Sequence, residues 1–300
     1  MSNLAITLEA LEVLDAIDRK GSFAAAANIL YKVPSAITYT VQKLEQDLGV
    51  TLFVKSGRKS VLTPAGEILL EQGREILDAA ERLTETTRVV DSGWESRLNI
   101  VLDTAFGTQH IYPLLTEFFA IKPDIEINLH QEALGGGWDA LLEGRTDIAL
   151  GLPARPSEIS GFHCTPLTKT RWVFAVHEHH PLASLKRSLT REDIECHRAV
   201  VIRDSSQNHA KLTHRVFSKQ PVLSVQTMQD KAAAQIAGLG VGFIPESVIQ
   251  EELASGEMLR LEVQGVEVDT TVYLAWRRGQ KGKALNWFIS KLSNANALDS

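Results

Sequence analysis

Ser22-Phe23-Ala24-Ala25-Ala26-Ala27, Leu30, Pro34-Ser35-Ala36-Ile37-Thr38, Val41, Leu44-Glu45, Leu48-Gly49-Val50, Leu52-Phe53 and Leu62-Thr63-Pro64-Ala65-Gly66 form one cassette between positions 22 and 66. Just before it, Leu8, Leu11, Leu14 and Ile17 recur at three-residue steps and lie along one face of a first helix. Gly21 can end that helix and Ser22 can cap the next. The small side chains Ala24 to Ala27 allow two helices to approach closely. Ile37, Val41, Leu44 and Leu48 give a third helix one buried stripe, and Gly49 terminates it. Its opposite face carries Ser35, Thr38, Tyr39 and Gln42, which can hydrogen-bond base edges or phosphates. Leu52 to Val54 and Ser60 to Thr63 are expected to pair around Lys55-Ser56-Gly57-Arg58-Lys59. That hairpin is a wing with cations at Lys55, Arg58 and Lys59. A short helix preceding one that can enter a major groove is a helix-turn-helix signature.

The 300 residues suffice for two or three domains, and a hydrophobic content of 44% supports real cores. The net charge of −6 is unusual for a chain that approaches DNA. Over residues 1–65, Arg19, Lys20, Lys32, Lys43, Lys55, Arg58 and Lys59 stand against Glu9, Glu12, Asp15, Asp18, Glu45 and Asp47, so this region is nearly neutral. Attraction to DNA must come from local clustering and from doubling the site by dimerisation. No apolar run approaches a membrane span, and no basic-then-apolar leader opens the sequence, so a cytoplasmic protein is expected. Cys164 and Cys196 give no disulfide framework and read as reduced thiols.

Residues 64 to 90 read as one long helix, with Thr63 as cap and Pro64 in its first turn. At 1.5 Å per residue it would span roughly 40 Å. Leu69, Ile76, Leu83 and Val90 repeat every seven residues, with the small Gly73, Ala80 and Thr87 in the companion positions. This pattern suits a seam with a partner helix, although the helix could instead fold against its own domain. Asp91-Ser92-Gly93 then breaks it, and a hinge is placed at 91–96.

From Arg97 the pattern changes to alternating strands and helices, an α/β arrangement with a mainly parallel sheet. Strands are expected at Leu98–Leu102, Ile125–Leu129, Ile148–Leu152, Trp172–Val176, Ala199–Ile202, Val222–Val225, Val241–Ile244 and Thr271–Trp276. Helices are expected at Ile111–Phe119, Trp138–Leu142 and Ala284–Leu292. Gly238-Leu239-Gly240-Val241-Gly242 precedes a strand instead of opening a helix, so it is no dinucleotide fingerprint. His177-Glu178-His179-His180 could coordinate a metal, but a loop is the simpler reading and no metal site is assigned. Gly135-Gly136-Gly137 reads as a flexible turn before a helix. No nucleophile elbow or paired catalytic carboxylates have a recognisable context, so no enzyme and no cofactor is expected.

The cassette resembles the winged helix-turn-helix of LysR-type transcriptional regulators. The resemblance is strongest over residues 1–66 and extends more loosely over the rest. The family often has Gln early in the recognition helix and a basic residue after the Ser/Thr; here Pro34 and Tyr39 stand there, and a base-reading amide is missing. The resemblance implies an α+β chain: a winged helix-turn-helix (1–66), a linker and dimerisation helix (67–90), a hinge (91–96) and an effector domain (97–300). That last domain resembles the two-lobed periplasmic-binding-protein fold. Lobe I comprises about 97–165 and 267–300, lobe II about 166–266, and the chain crosses near 165 and 266. The resemblance also favours pairing of subunits through the linker helix, and a homodimer or homotetramer.

In open α/β folds ligands sit beyond the carboxyl ends of the strands, and in two-lobed proteins between the lobes. The loops there hold Asp103, Thr104 and Phe106; Glu132; Asp204 and Ser205; and Gln226 and Thr227. Thr104 falls where the family's effector-contacting hydroxyl usually lies. Asp103, Glu132 and Asp204 would repel a small anion, so a cation is expected, an amine, or a polyhydroxy aromatic. Phe106 and Trp138 would supply apolar or cation–π contact. The expected function is a DNA-binding transcriptional regulator switched by a small-molecule effector. The alternative is a small-molecule binding or enzymatic α/β protein with a vestigial DNA-binding domain.

Overall fold

The computed structural model describes residues 5–56, 59–207, 220–266 and 268–293. Among the expected site residues, Arg58 lies outside the described residues, as does the side chain of Val90. The chain divides into two compact units between Asp91 and Ser92.

In the first unit, α1 (Leu8–Lys20) begins at Thr7, whose hydroxyl accepts the Ala10 N–H, and ends at left-handed Gly21. Ser22 caps α2 (Phe23–Ile29), and α3 (Pro34–Leu48) ends at left-handed Gly49. Strands β1 (Phe53–Ser56) and β2 (Lys59–Leu62) pair antiparallel, so the paired strands reach further toward each other than the expected Val54 and Ser60. Leu11, Leu14, Ile17, Ile37, Val41 and Leu44 are buried. Leu8, expected on the same face of α1, is exposed.

Two motifs of the cassette find their physical reason here. The Glu45 carboxylate accepts the backbone N–H groups of Leu52 (2.6 Å) and Phe53 (3.3 Å), fixing the entry to the wing. The Thr63 hydroxyl donates to the Thr51 carbonyl (2.7 Å) and accepts the Gly66 N–H (3.1 Å), so it closes the wing and caps the next helix at once. A Cβ on Gly66 would lie 2.4 Å from the Leu52 carbonyl oxygen, so only glycine fits.

Helix α4 (Pro64–Ser92) runs 29 residues. Its first turns pack on α1. A Cβ on Gly73 would come within 2.7 Å of Leu11 Cδ2, and Arg74 binds Asp15 (2.7 Å) and Asp18 (2.9 Å). Leu69 is half-buried against the core of its own unit, which withdraws it from the expected seam. Further along, Ile76 (47%) and Leu83 (69%) are exposed.

The second unit carries β3 (Arg97–Asp103), α5 (Tyr112–Ile121), β4 (Glu126–Glu132), α6 (Gly136–Leu142), β5 (Ile148–Leu152) and the 16-residue β6 (Phe162–His177). There follow α7 (Arg191–Glu195), β7 (Ala199–Ile202), β8 (Val222–Val225), α8 (Met228–Ile236), β9 (Gly242–Pro245), α9 (Gln250–Ser255), β10 (Met258–Leu261), β11 (Asp269–Arg277) and α10 (Lys283–Ser293). The large sheet runs β10-β6-β11-β5-β3-β4, with β9 also on β6.

This sheet is mixed, which corrects the mainly parallel expectation. In it β3 pairs parallel with β4 and β5, whereas β11 with β5 and β6, and β6 with β9 and β10, are antiparallel; β7 and β8 form a separate parallel pair. Pairing direction depends on partners distant in sequence, and no local pattern reports it. Strand β10 was not anticipated. One lobe gathers its core from β3, β5, α5 and α10, around Leu98, Ile100, Phe118 and Phe288. The other gathers Val173, Ala175, Met228 and Ile244, with a neighbouring cluster at Phe174, Val176 and Phe243. Strands β6 and β11 run through both lobes, with a register irregularity at Val272/Tyr273 opposite Thr168 and Pro166. Buried Glu95 accepts the Ala284 (2.9 Å) and Leu285 (3.0 Å) N–H groups and anchors the start of α10.

Candidate functional site

On α3, burial of Ile37, Val41 and Leu44 turns Ser35, Tyr39 and Gln42 outward, Tyr39 being 66% exposed. Thr38 is half-buried, and its hydroxyl donates to the Pro34 carbonyl at 3.0 Å, which leaves only its lone pairs for an outside donor. In the wing, Lys55 lies opposite Ser60 and Lys59 opposite Ser56. The two exposed lysines therefore project from opposite faces of the ribbon. Three other cations of this unit are already committed: Lys32 pairs with Glu9, and Arg19 and Arg74 with Asp15.

In the second unit two of the three expected acids, Asp103 and Asp204, are engaged by the chain's own backbone, and Glu132 by side chains. Asp103 accepts the Ala105 (2.8 Å) and Leu134 (2.9 Å) N–H groups. Asp204 accepts those of Gly135 (3.1 Å) and Ser206 (2.9 Å). Glu132 pairs with Arg145 at 3.0 Å and accepts the Ser205 hydroxyl. Asp103 and Asp204 are buried, as is Thr104. Burial, opposed by its two backbone bonds and reinforced by the nearby Asp204 charge, pushes the Asp103 carboxyl up to about 7.

These contacts correct the expectation of a cation trap: the carboxylate oxygens already have internal donors. Trp138 is also unavailable, because its ring is buried edge-on to Phe162 and its indole N–H donates to the Pro153 carbonyl at 3.2 Å. The Thr227 hydroxyl caps α8, accepting the Asp230 N–H at 3.0 Å, while Gln226 is exposed. Local sequence cannot separate an acid that binds a ligand from one that binds backbone amides.

Gly135-Gly136-Gly137 is a site of close approach. A Cβ would lie 3.1 Å from Ser206 Cβ at Gly135, 1.9 Å from Ser205 Oγ at Gly136 and 2.3 Å from Leu152 Cδ2 at Gly137. The His177–His180 run ends β6, and His180 Nδ1 accepts the Leu182 N–H, capping the turn Pro181–Ser184.

A cavity of about 470 Å³ opens between Ala105, Phe106 and His110 of one lobe and Glu246, Ser247 and Gln250 of the other. The run Thr168 to Arg171 of β6 floors it. Phe106, nearly buried, is the one expected effector residue that lines it, beside the His110 ring at 4.9 Å. Burial holds the His110 imidazole below its usual pKa, so it is neutral at pH 7. Glu246 is bound by Arg260 at 2.6 Å, whereas Arg171 is 3.9 Å from both Glu246 and Asp269. Lys169 has no ion-pair partner among the described residues. Sequence reading missed these cations; the available signal was the polar run Thr168-Lys169-Thr170-Arg171 leading into an apolar strand.

A winged helix-turn-helix, a long helix and a two-lobed domain with an interlobe cavity define a DNA-binding regulator with an effector domain. Residues 8–67 match the family described as bacterial regulatory helix-turn-helix protein, lysR family, and residues 91–297 match the LysR substrate binding domain. The chain belongs to the LysR family of transcriptional regulators. It is 36% identical over 289 residues to the HTH-type transcriptional regulator YhaJ of Escherichia coli O157:H7, covering 96% of each chain. It is 30% identical over 290 residues to the HTH-type transcriptional regulator PunR of the same strain, covering 96% of this chain and 93% of that one. Full-length CbnR complexed with its target DNA shares the fold, with a TM-score of 0.63 and 20% identity over 97% of this chain and 100% of that one. Its named relatives being regulators, the protein is a transcription factor and not an enzyme.

The raised Asp103 carboxyl predicts a pH dependence. The folded chain holds this proton up to about pH 7, while the unfolded chain releases it near pH 4. Stability of the second unit therefore falls as pH rises between those values, by up to about 1.4 kcal/mol per pH unit, and levels off above. All five tryptophans lie beyond residue 92, so urea unfolding followed by tryptophan fluorescence isolates this unit. The Asp103→Asn variant should lack that slope.

Proposed function

We propose that the protein acts in the cytoplasm as a homodimer or homotetramer that grips an operator through α3 and the wing. Ser35, Tyr39 and Gln42, with Thr38 as acceptor, would read the groove, and Lys55, Arg58 and Lys59 would hold the backbone. Residues 1–66, 67–90, 91–96 and 97–300 would serve as DNA-binding domain, linker, hinge and effector domain; the division at Asp91 supports this. Exposure of Ile76 and Leu83 seven residues apart on α4 supports a seam through them, with Val90 continuing it.

The interlobe cavity is the observation that carries the effector reading. An amine would need the carboxylates of Asp103, Glu132 and Asp204, which are spent on internal donors. The cavity offers Lys169 and Arg171, a Phe106–His110 wall, and polar groups at Thr168, Thr170, Ser247 and Gln250. It suits an aromatic anion, and its hydroxyls keep the polyhydroxy aromatic in play. Occupancy would bias the angle between the lobes and, through the assembly, the DNA-binding units.

Three measurements test these readings. Lys59→Ala should weaken all duplexes alike and lower the salt slope by about one unit, whereas Gln42→Ala should cost about 1–3 kcal/mol on the selected operator and little on random DNA. Equal losses for Gln42→Ala on both would remove it from base readout. Leu83→Asp should leave the circular dichroism unchanged, since the residue is exposed, yet break the oligomer, because a seam would bury an unpaired carboxylate at a cost of several kcal/mol. Calorimetry should rank 4-hydroxybenzoate above catechol and both above benzylamine, with Lys169→Ala weakening the first about tenfold or more. Tight benzylamine binding with the carboxylate inert would return the site to the three acids.

A further inference from the structure

Three consecutive backbone N–H groups in the turn before α6 are each accepted by a side chain. Ala133 donates to Ser205 Oγ (2.9 Å), Leu134 to Asp103 Oδ2 (2.9 Å) and Gly135 to Asp204 Oδ1 (3.1 Å). Leu134 is left-handed, with φ at +56°, and Gly135 returns to the right-handed region. Alternation of that kind turns successive amides to one side and makes a concave anion-binding nest. A left-handed leucine persists only where its surroundings hold it, and such strain collects at switching segments.

The acceptors come from both lobes. Asp103 ends β3 beside the turn, whereas Asp204 and Ser205 follow β7 of the opposite lobe. The approach is close enough that Gly136 has no room for a side chain and Gly135 very little. Gln207 adds a further bond across, its N–H donating to Asp139 Oδ2 at 2.6 Å. The closed arrangement is also imperfect: Ser206 Oγ is buried with no partner among the described residues, and two carboxylates crowd one nest.

We infer that the 133–135 turn is an oxyanion nest filled from the opposite lobe by Asp204, so that the chain's own tethered carboxylate latches the lobes shut. Opening would move Asp204 and Ser205 away together, freeing the Gly135 and Ala133 amides while Asp103 keeps Leu134 in place. A regulator built this way rests closed, and whatever biases its lobes must work against an internal ligand. That regulatory meaning rests on the effector reading above; the latch itself does not.

Hydrogen exchange of the full-length protein, with no ligand present, tests it. Asp204→Ala should speed exchange about tenfold in peptides covering 131–138 of one lobe and 199–207 of the other together. Asp204→Asn, which keeps an acceptor but no charge, should give an intermediate gain, and Ser205→Ala a smaller one in both peptides. If Asp204→Ala does not fold, the latter two carry the same readout. Faster exchange confined to 199–207, with 131–138 unchanged, would show that Asp204 only closes its own turn with Ser206 and would overturn the latch. A wild-type protein in which no small molecule alters exchange would count against the effector reading and leave the variants' result intact.

Discussion

The antiparallel ladder between β6 and β11 is the constraint on which the effector domain depends. It runs from Arg171 and Asp269 to Phe162 and Arg277, and the same strand β6 is buried at Phe162 in one lobe and at Val173 to Val176 in the other. Neither lobe can form its core without a strand that the other also uses. The irregularity at Pro166 and Val272/Tyr273 is where this ladder is weakest, because proline has no N–H to donate and a shifted register leaves groups unpaired. The Asp204 contacts lie beyond the ends of β3 and β7.

A second theme is the use of acids as ligands for backbone amides. Glu45 holds the entry to the wing, Glu95 starts α10, and Asp103 and Asp204 hold the turn before α6. A carboxylate accepting amide protons satisfies donors that would otherwise be orphaned in a buried loop. Part of the net charge of −6 is therefore structural. The cost shows at Asp103, where burial and a neighbouring charge outweigh two hydrogen bonds and keep the proton near neutral pH.

In the first unit, ion pairs decide what remains for DNA. Arg74 is spent on docking α4 to α1, and Arg19 and Lys32 on neighbouring acids. Lys55 and Lys59, with no ion-pair partner among the described residues, face both sides of a narrow ribbon, which suits a strand held between phosphates better than a broad basic patch. So few available cations give a modest electrostatic contribution to DNA affinity per chain.

The sequence by itself determined the first unit almost completely. Its caps, its glycine stops at Gly21 and Gly49, and its stripe of Ile37, Val41 and Leu44 are local signals, and local hydrogen bonding decides helices of this length. It also placed most strands and helices of the second unit, because apolar periodicity survives in any fold. Pairing direction, the span of β6 across both lobes and the existence of β10 were decided by the tertiary structure, since those partners are far apart in the chain. So were the roles of side chains. Leu69 and Gly73 share a heptad pattern with Leu83, yet the core of the first unit takes Leu69, Leu11 of α1 covers Gly73, and Leu83 is left to solvent. Asp103 and Asp204, expected to face a ligand, instead hold a turn of backbone, because only the folded chain brings the amides of residues 133–135 within reach of both lobes.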